Sequence, residues 1–280
     1  MVELFENDIE MLSRHSSKGN QLKWKKDDSW YKADFTGYEG LSEYVVSQLL
    51  KKSSLMDEEY VVYDLEQIKY KTQVFNGVKS NHFLEEGFQI ITLERLFKNQ
   101  FGVSLTKTLS EIHDYKERLL FLVEKTERIT GIKNFGEYIC KLMTVDALFL
   151  NEDRHMHNIA VLMDGEGKFK LCPIFDNGAA LLSDTTVDYP IKYSTDEMNN
   201  SDDLDLYKLM KMVSPKTICN DFDMQLDAAE NLYLSQLRFS FDEKDINQIV
   251  DNAIIYSKEI RDRVKEILYL QRRKYEYLFI

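Results

Sequence analysis

Two short polar motifs joined by a candidate hairpin constrain the fold of this chain more than any other feature of its sequence. The first motif is Asn-Glu-Asp-Arg-His-Met-His-Asn at residues 151–158, and the second is Phe-Asp-Asn-Gly at residues 175–178. The residues between them are typical of a strand, a tight turn and a returning strand, with Gly165 and Glu166 at the centre of the turn. Cross-strand partners would then sum to about 331, which places Asp176 opposite the first motif. The sequence therefore predicts that the two motifs meet in space.

The side chains brought together by this hairpin carry the groups that phosphoryl transfer requires. Asp153 is suited to orient an attacking hydroxyl group and to accept its proton. Asn158, five residues later, and Asp176 offer oxygen ligands to Mg²⁺, a hard cation that would also contact nucleotide phosphates. We therefore predict Asp153, His155 and Asn158 as the catalytic group, and Asn158 and Asp176 as the metal ligands. We expect His155 to brace the loop by hydrogen bonding rather than to react itself.

A nucleotide site also needs cations for the phosphates. Lys32 lies in a largely apolar and aromatic strand candidate, residues 29–35, and a helix candidate with Glu39 and Glu43 at its start follows directly. In kinases, a lysine held by a helix glutamate positions the α- and β-phosphates. We therefore predict that Lys32 contacts the phosphates and that Glu43 orients Lys32.

A second candidate for phosphate binding lies upstream, in a turn of small residues at positions 14–20. It contains Ser16, Ser17, Lys18 and Gly19, and it leads into a strand candidate. The turn follows neither the GxGxxG nor the GxxxxGK[ST] pattern, so on its own it would equally suit an ordinary surface loop. Taken together with the other motifs, this turn is predicted to cover the nucleotide phosphates.

The periodicity of the apolar residues changes at about residue 95. Short strand candidates dominate before it and helical patterns dominate after it. We predict an α+β fold of the bilobal protein-kinase-like type, with a small strand-rich N-lobe (residues 1–95) and a larger helical C-lobe (residues 96–280). A nucleotide would bind in the cleft between the lobes. The helix candidates are residues 41–50, 109–129, 135–150, 204–213 and 246–279, and the polar segment 181–203 is a candidate for a substrate-facing loop.

Composition limits the partners and the location of the protein. The net charge is −12, from 36 basic and 48 acidic residues, which argues against direct contact with nucleic acid. No apolar run is long enough to span a membrane. The three cysteines are far apart and odd in number, and the histidines lack the HExxH pattern, so we expect neither a disulfide framework nor a zinc site. Because the N-terminus is also unlike a secretory signal, we expect a cytoplasmic protein.

The order Asn-x-Asp-Arg-His-x-x-Asn, followed by Phe-Asp-Asn-Gly, resembles the HipA-like bacterial serine/threonine kinases, and above all their compact members and the kinase subunits of split toxin systems. In typical eukaryotic protein kinases the loop order is His-Arg-Asp, so the inverted order is more specific than a general kinase motif. The segment that starts at Ser16 is also similar to the phosphate loop of that family, with Gly19, Gln21 and Lys23 at its fixed positions.

This resemblance implies a two-lobed kinase that uses ATP and Mg²⁺ and has a serine or threonine of a protein substrate as acceptor. It also implies that Ser16 or its neighbour Ser17 is autophosphorylated, since that family silences itself by modifying this loop. An antitoxin or other regulator protein is a possible partner in this family. The chain is too short to carry the full N-terminal subdomain of the larger members, so such a complex does not follow from the resemblance.

Two other functions remain open. The first is a nucleotide-binding pseudokinase that serves as an interaction module, although the presence of both Asp153 and Asp176 argues against it. The second is a lipid or small-molecule kinase, because phosphatidylinositol kinases also use an Asp-Arg-His loop. A lipid kinase would need a basic surface facing the membrane, and this chain is acidic.

Overall fold

The first part of the chain folds into a five-stranded sheet. The structure, a computed structural model, describes residues 1–8, 21–191 and 206–280. The strands are β1 (Val2–Leu4), β2 (Lys23–Lys26), β3 (Ser29–Ala33), β4 (Asp64–Tyr70) and β5 (Gln73–Asn81). Their order in the sheet is β1-β4-β5-β3-β2, with β1 parallel to β4 and the other neighbours antiparallel.

One helix, α1 (Glu39–Leu50), packs against this sheet. Its apolar residues recur at helical spacing, and all of those at the predicted positions 41, 45, 46, 49 and 50 are fully buried. The helix begins two residues before the predicted start, at Glu39. Because the chain passes from β3 into α1 through a short loop, the strand that carries Lys32 lies beside the helix that carries Glu43.

The second sheet contains the hairpin between the two polar motifs. Its strands are β6 (Gln89–Thr92), β7 (Ala160–Met163) and β8 (Phe169–Leu171), with β7 in the middle. β6 precedes residue 95 in sequence but pairs with β7, so the strand-rich first part of the chain contributes to both sheets. The division into lobes at residue 95 therefore stays a prediction.

The predicted register of this hairpin is wrong by one residue. Val161 pairs with Leu171, so the partners sum to 332. The Asp164 amide donates to the Lys168 carbonyl (3.0 Å), which leaves a loop of three residues that ends at Gly167 in the left-handed region, with φ of 81°. A turn closed by a left-handed glycine is a common three-residue hairpin loop, and the prediction had assumed two central residues.

The remaining helices form the larger part of the molecule. Two of the predicted helices are each interrupted. The predicted helix 109–129 is two helices, because Asp114 caps a new one by accepting a hydrogen bond from the Glu117 amide (2.9 Å). The predicted helix 246–279 is also two helices. Two further helices, Leu93–Phe101 and Phe222–Tyr233, were not predicted. Within the described ranges the helices are α2 (Leu93–Phe101), α3 (Leu105–Glu111), α4 (Tyr115–Thr130), α5 (Phe135–Phe149), α6 (Leu206–Met212), α7 (Phe222–Tyr233), α8 (Glu243–Asp251) and α9 (Lys258–Lys274).

Helix α5 is the centre of the helical core. All of its residues are buried except Glu137 and Lys141, and it packs against α4, α7 and α9. It ends at Phe149, and the left-handed conformation of the next residue, Leu150 (φ 56°), turns the chain directly into the first polar motif. The motif therefore starts from a fixed and buried point. In the described ranges, no helix has the length and apolar character that crossing a membrane requires.

Candidate active site

Lys32 lies between two carboxylates from different parts of the chain. Its Nζ atom is 2.5 Å from Glu43 Oε1 and 2.8 Å from Asp176 Oδ1. The other oxygen of Glu43 accepts a hydrogen bond from the Asn177 amide (2.9 Å). The Lys32 side chain also passes over the Tyr63 ring, 5.1 Å from its centroid. Strand β3, helix α1 and the second polar motif are therefore joined at one ammonium group.

The charges of this cluster stabilise each other. Burial disfavours a charged Lys32, but the carboxylates of Asp176 and Glu43 outweigh it and raise the pKa of the lysine well above its ordinary value. Burial also disfavours a charged Asp176, but the nearby ammonium groups of Lys32 and Lys23 lower the pKa of this carboxyl. Both groups are consequently charged at neutral pH.

The first polar motif is fixed by a buried ion pair. The Arg154 guanidinium is 3.1 Å from Asp146 of helix α5, and both side chains are fully buried. Arg154 also donates to the Phe175 carbonyl and to Asn177 Oδ1, each at 2.6 Å. Burial raises the pKa of Asp146, and Arg154 opposes this rise. One arginine thus holds the first motif, the second motif and α5 in a fixed arrangement.

Asp153 is the centre of the first motif and is almost fully buried. Its carbonyl accepts hydrogen bonds from the Asn158 side-chain amide (2.9 Å) and from the His155 amide (3.0 Å). Its Oδ1 atom accepts a hydrogen bond from Lys216 (3.2 Å). The His155 ring lies 3.9 Å from the other oxygen, and burial lowers the pKa of His155. These contacts keep the carboxylate in one place, whereas burial favours the neutral form of His155.

The predicted acids and amides line one cleft. Asp153, Asn158 and Asp176 share it with Lys23, which is the cross-strand neighbour of Lys32. The Asn158 Nδ2 atom donates a hydrogen bond to the Asp153 carbonyl. The Oδ1 atom of Asn158 is therefore the one that could bind a metal. A carboxylate and an amide oxygen beside two lysines fit a hard cation with phosphate ligands. Over the described ranges, no group of three or more His, Cys, Asp or Glu is arranged to hold a metal by itself.

A seam of hydrogen bonds fastens the start of α1 to residues 180–186, and we call these contacts the α1 seam. Gly37 lies in it, where a Cβ atom would come within 1.9 Å of the Ser183 carbonyl oxygen, so only glycine fits. The bonds are Tyr38 N to Ser183 O (3.0 Å), Tyr38 Oη to Leu181 O (2.6 Å), Ser42 Oγ to Ala180 O (2.7 Å), Thr185 N to Thr36 O (3.1 Å) and Thr186 N to Thr36 O (2.9 Å).

The structure brings most of the predicted site residues together, and their roles remain predictions. Lys32, Glu43, Asp153, His155, Asn158 and Asp176 meet at the cleft and around it. The predicted phosphate-loop residues Ser16, Ser17, Lys18 and Gly19 lie outside the described residues, as does most of the predicted substrate-facing loop, residues 192–203.

Sequence reasoning missed three residues of the site. Asp146 and Asn177 hold Arg154, and Lys216 contacts Asp153. Asn177 was part of a motif but had no predicted role, and an acidic residue inside the apolar α5 pattern was a signal for Asp146. No pattern in the sequence pointed to Lys216, because the contact depends on tertiary structure.

Comparison with protein families gave no match, and comparison with curated proteins gave none either. Among solved structures the chain is similar to the crystal structure of a Helicobacter pylori proinflammatory kinase, CtkA, with a TM-score of 0.61 and 16% identity over 98% of this chain and 94% of that chain. It also matches a Shewanella oneidensis complex of HipA, HipB and operator DNA, with a TM-score of 0.49 and 12% identity over 93% of this chain and 65% of that chain. The match to CtkA confirms the predicted α+β, kinase-like fold, because the chain has the fold of this kinase.

Proposed function

We propose that the protein is a HipA-like serine/threonine protein kinase that depends on ATP and Mg²⁺. The observation that supports this most directly is the position of Lys32, between Glu43 and Asp176, beside the cleft that Asp153 and Asn158 line. A lysine, a helix glutamate and a metal-binding aspartate in this arrangement are the parts that phosphoryl transfer by a kinase requires.

Each side chain has a separate part in the proposed reaction. Lys32, oriented by Glu43, contacts the phosphates. Asn158 and Asp176 would hold Mg²⁺, which would supply positive charge to stabilise the phosphoryl group. Asp153 orients the acceptor hydroxyl and takes its proton. Because these side chains come from fixed elements, they need little rearrangement during the reaction.

Autophosphorylation at Ser16, with Ser17 as the second choice, is part of this proposal. It rests on the family resemblance and on the neighbouring cations Arg14, Lys18 and Lys23. A phosphate among these cations would form charge-assisted hydrogen bonds with them and alter the loop. Gln21 and Lys23, which follow this segment in the sequence, line the cleft. A regulator or antitoxin partner and a cytoplasmic location also remain proposals.

Intact-mass measurement after incubation with Mg²⁺ and ATP tests the proposed function. We expect the wild-type protein to gain phosphate, peptide mapping to place it at Ser16 or Ser17, and Asp153→Ala to gain none. A parallel incubation with a generic protein acceptor and with phosphatidylinositol vesicles tests the acceptor class. Nucleotide binding without any transfer would indicate a pseudokinase, and transfer to the lipid alone would indicate a lipid kinase.

A further inference from the structure

A second lysine reaches the site from a distant part of the chain. Lys216 Nζ lies 3.2 Å from Asp153 Oδ1, although 63 residues separate the two in sequence. The Asp153 side chain is 9% exposed and the Lys216 side chain is 47% exposed. The ammonium group therefore lies where the buried base of the proposed reaction meets solvent, which is where an acceptor hydroxyl would approach.

The position of Lys216 is set by its neighbour. Thr217 is buried, and its hydroxyl donates a hydrogen bond to the Arg154 carbonyl (2.7 Å), so residues 216–218 are bound to the first polar motif itself. The next carbonyl, that of Ile218, accepts a hydrogen bond from Arg118 of helix α4 (2.8 Å). These two anchors place the lysine beside Asp153 without using the lysine side chain.

Stability does not account for the ion pair. An ion pair with a partly exposed partner contributes little to stability, and the buried Thr217 already holds the segment in place. A lysine ammonium also has three hydrogen-bond donors, and the bond to Asp153 uses one of them. The remaining donors can serve a ligand.

We propose that Lys216 is a catalytic residue whose ammonium group contacts the phosphoryl group during its transfer. This inference rests on the proposed kinase function. In the step, the acceptor oxygen forms a bond to the γ-phosphorus and the bond from that phosphorus to the β–γ bridging oxygen breaks. ADP leaves with the bond electrons, and Asp153 takes the hydroxyl proton. Lys216 keeps its protons and stabilises the negative charge on the transferring oxygens.

Three variants separate this role from a structural one. Lys216→Met removes the charge and keeps most of the aliphatic stem, Lys216→Gln replaces it with a neutral polar group, and Lys216→Arg keeps the charge. Lys211→Met is the matched control, because Lys211 is exposed on helix α6 and lies over the Tyr207 ring. We expect Lys216→Met and Lys216→Gln to lower kcat about 10- to 100-fold and to keep KM for ATP within about twofold. Loss of one preorganised hydrogen-bond donor typically lowers kcat about 10²- to 10³-fold, and the partial exposure of Lys216 reduces this effect.

Lys216→Arg should keep most of the wild-type kcat, and Lys211→Met should have the kcat of the wild type. Calorimetry supplies a readout other than activity, with Mg²⁺, ADP and aluminium fluoride as a mimic of the transferring phosphoryl group. All variants should bind ADP alone equally well, whereas Lys216→Met and Lys216→Gln should bind the aluminium fluoride complex at least about tenfold more weakly.

Wild-type kcat and wild-type affinity for the mimic in Lys216→Met would overturn the inference and leave the proposed function intact. Failure of both neutral variants to fold, judged by thermal unfolding, would overturn it as well, because Lys216 would then be a structural residue. Absence of phosphoryl transfer by the wild-type protein would instead remove the proposed function, and this inference with it.

Discussion

At the scale of single residues, the site depends on Lys32, because this side chain pairs with the carboxylates of both Glu43 and Asp176. Lys32→Ala should lower kcat/KM by about 100-fold or more, since it removes the proposed phosphate contact and the ion-pair partner that the two carboxylates share. Glu43→Gln should lower kcat/KM less, because glutamine can still accept the hydrogen bond from the Asn177 amide. Steady-state kinetics on both variants and the double variant measure the coupling. The double variant should be no worse than Lys32→Ala, and additive losses would contradict a shared role.

Asp153 and Asp176 should respond differently to the same substitution. Asp153→Asn should lower kcat by about 10²- to 10⁴-fold and keep the affinity for Mg·ATP within about twofold, because this residue acts on the acceptor. Asp176→Asn should weaken Mg·ATP binding together with turnover, because it removes a charged metal ligand. Calorimetry with and without Mg²⁺ separates the two. Unchanged metal-dependent affinity in Asp176→Asn would exclude it as a ligand.

Sequence reasoning identified the residues that are close together in sequence or lie on adjacent elements. Asp153, Asn158 and Asp176 lie on one hairpin, so their proximity follows from strand geometry. Lys32 and Glu43 lie on adjacent elements. Lys216 could not be found in this way, because the segment after α6 that carries it contacts Asp153 and Arg154 of the first polar motif only through the tertiary structure.

At the scale of elements, the ion pair between Arg154 and Asp146 joins the first polar motif to helix α5. Arg154→Met should destabilise the protein by about 3–5 kcal/mol at neutral pH, because it leaves the buried Asp146 carboxylate without a cation. Chemical denaturation measures this loss. Lys258→Met is the control, because Lys258 and Asp262 form an exposed pair on α9, and exposed pairs contribute little to stability.

The destabilisation in Arg154→Met should also depend on pH. Burial raises the pKa of Asp146, and Arg154 opposes that rise, so the variant should have a still higher pKa. A folded-state pKa above the unfolded value contributes stability at low pH that is lost as pH rises. The deficit should therefore shrink on acidification. A deficit that is constant or grows toward low pH would contradict this account of the pair.

Element boundaries were harder to predict than element types. The hairpin register was wrong by one because Gly167 adds a third loop residue. The helix boundary at Asp114 was missed because the apolar spacing continues across it, although an Asp three residues before a Glu is a recognisable cap. Helices α8 and α9 were read as one for the same reason. Periodicity reports which face is buried, and only capping residues report where a helix stops.

At the scale of the whole molecule, Asp34 joins the first sheet to the connection between α8 and α9. Its carboxylate accepts hydrogen bonds from the Gly40 amide (2.6 Å) and from the Tyr256 hydroxyl (2.9 Å). Burial, and then the nearby Glu39, raise the pKa of Asp34 well above its ordinary range. A charged Asp34 therefore opposes folding, and the stability that this group contributes at low pH is lost as pH rises.

We therefore expect Asp34→Asn to become more stable relative to the wild type as pH rises above the ordinary aspartate range of about 4. Thermal unfolding from pH 4 to pH 8 measures the difference in Tm. In a Tyr256→Phe background the trend should be steeper, because the hydroxyl that stabilises the carboxylate is absent. A difference in Tm that stays constant across this range would contradict the assignment.

The fold class was predictable because motif order and the change from strand to helix patterns are global features of the sequence. The distribution of strands between two sheets was not, since β6 pairs with β7 across more than 60 residues. Such long-range pairing leaves no local periodicity to detect. The predicted phosphate loop lies outside the described residues, so the function of Ser16 rests on experiment.

The α1 seam has a consequence for regulation. Many kinases switch activity by swinging the helix that carries the paired glutamate, which makes or breaks its contact with the lysine. Here that motion would have to break the backbone bonds at Thr36 and Tyr38 and the buried Ser42 contact together. Glu43 consequently stays within reach of Lys32. Inhibition of this protein should act by blocking occupancy of the cleft, and turnover should require no prior activating modification.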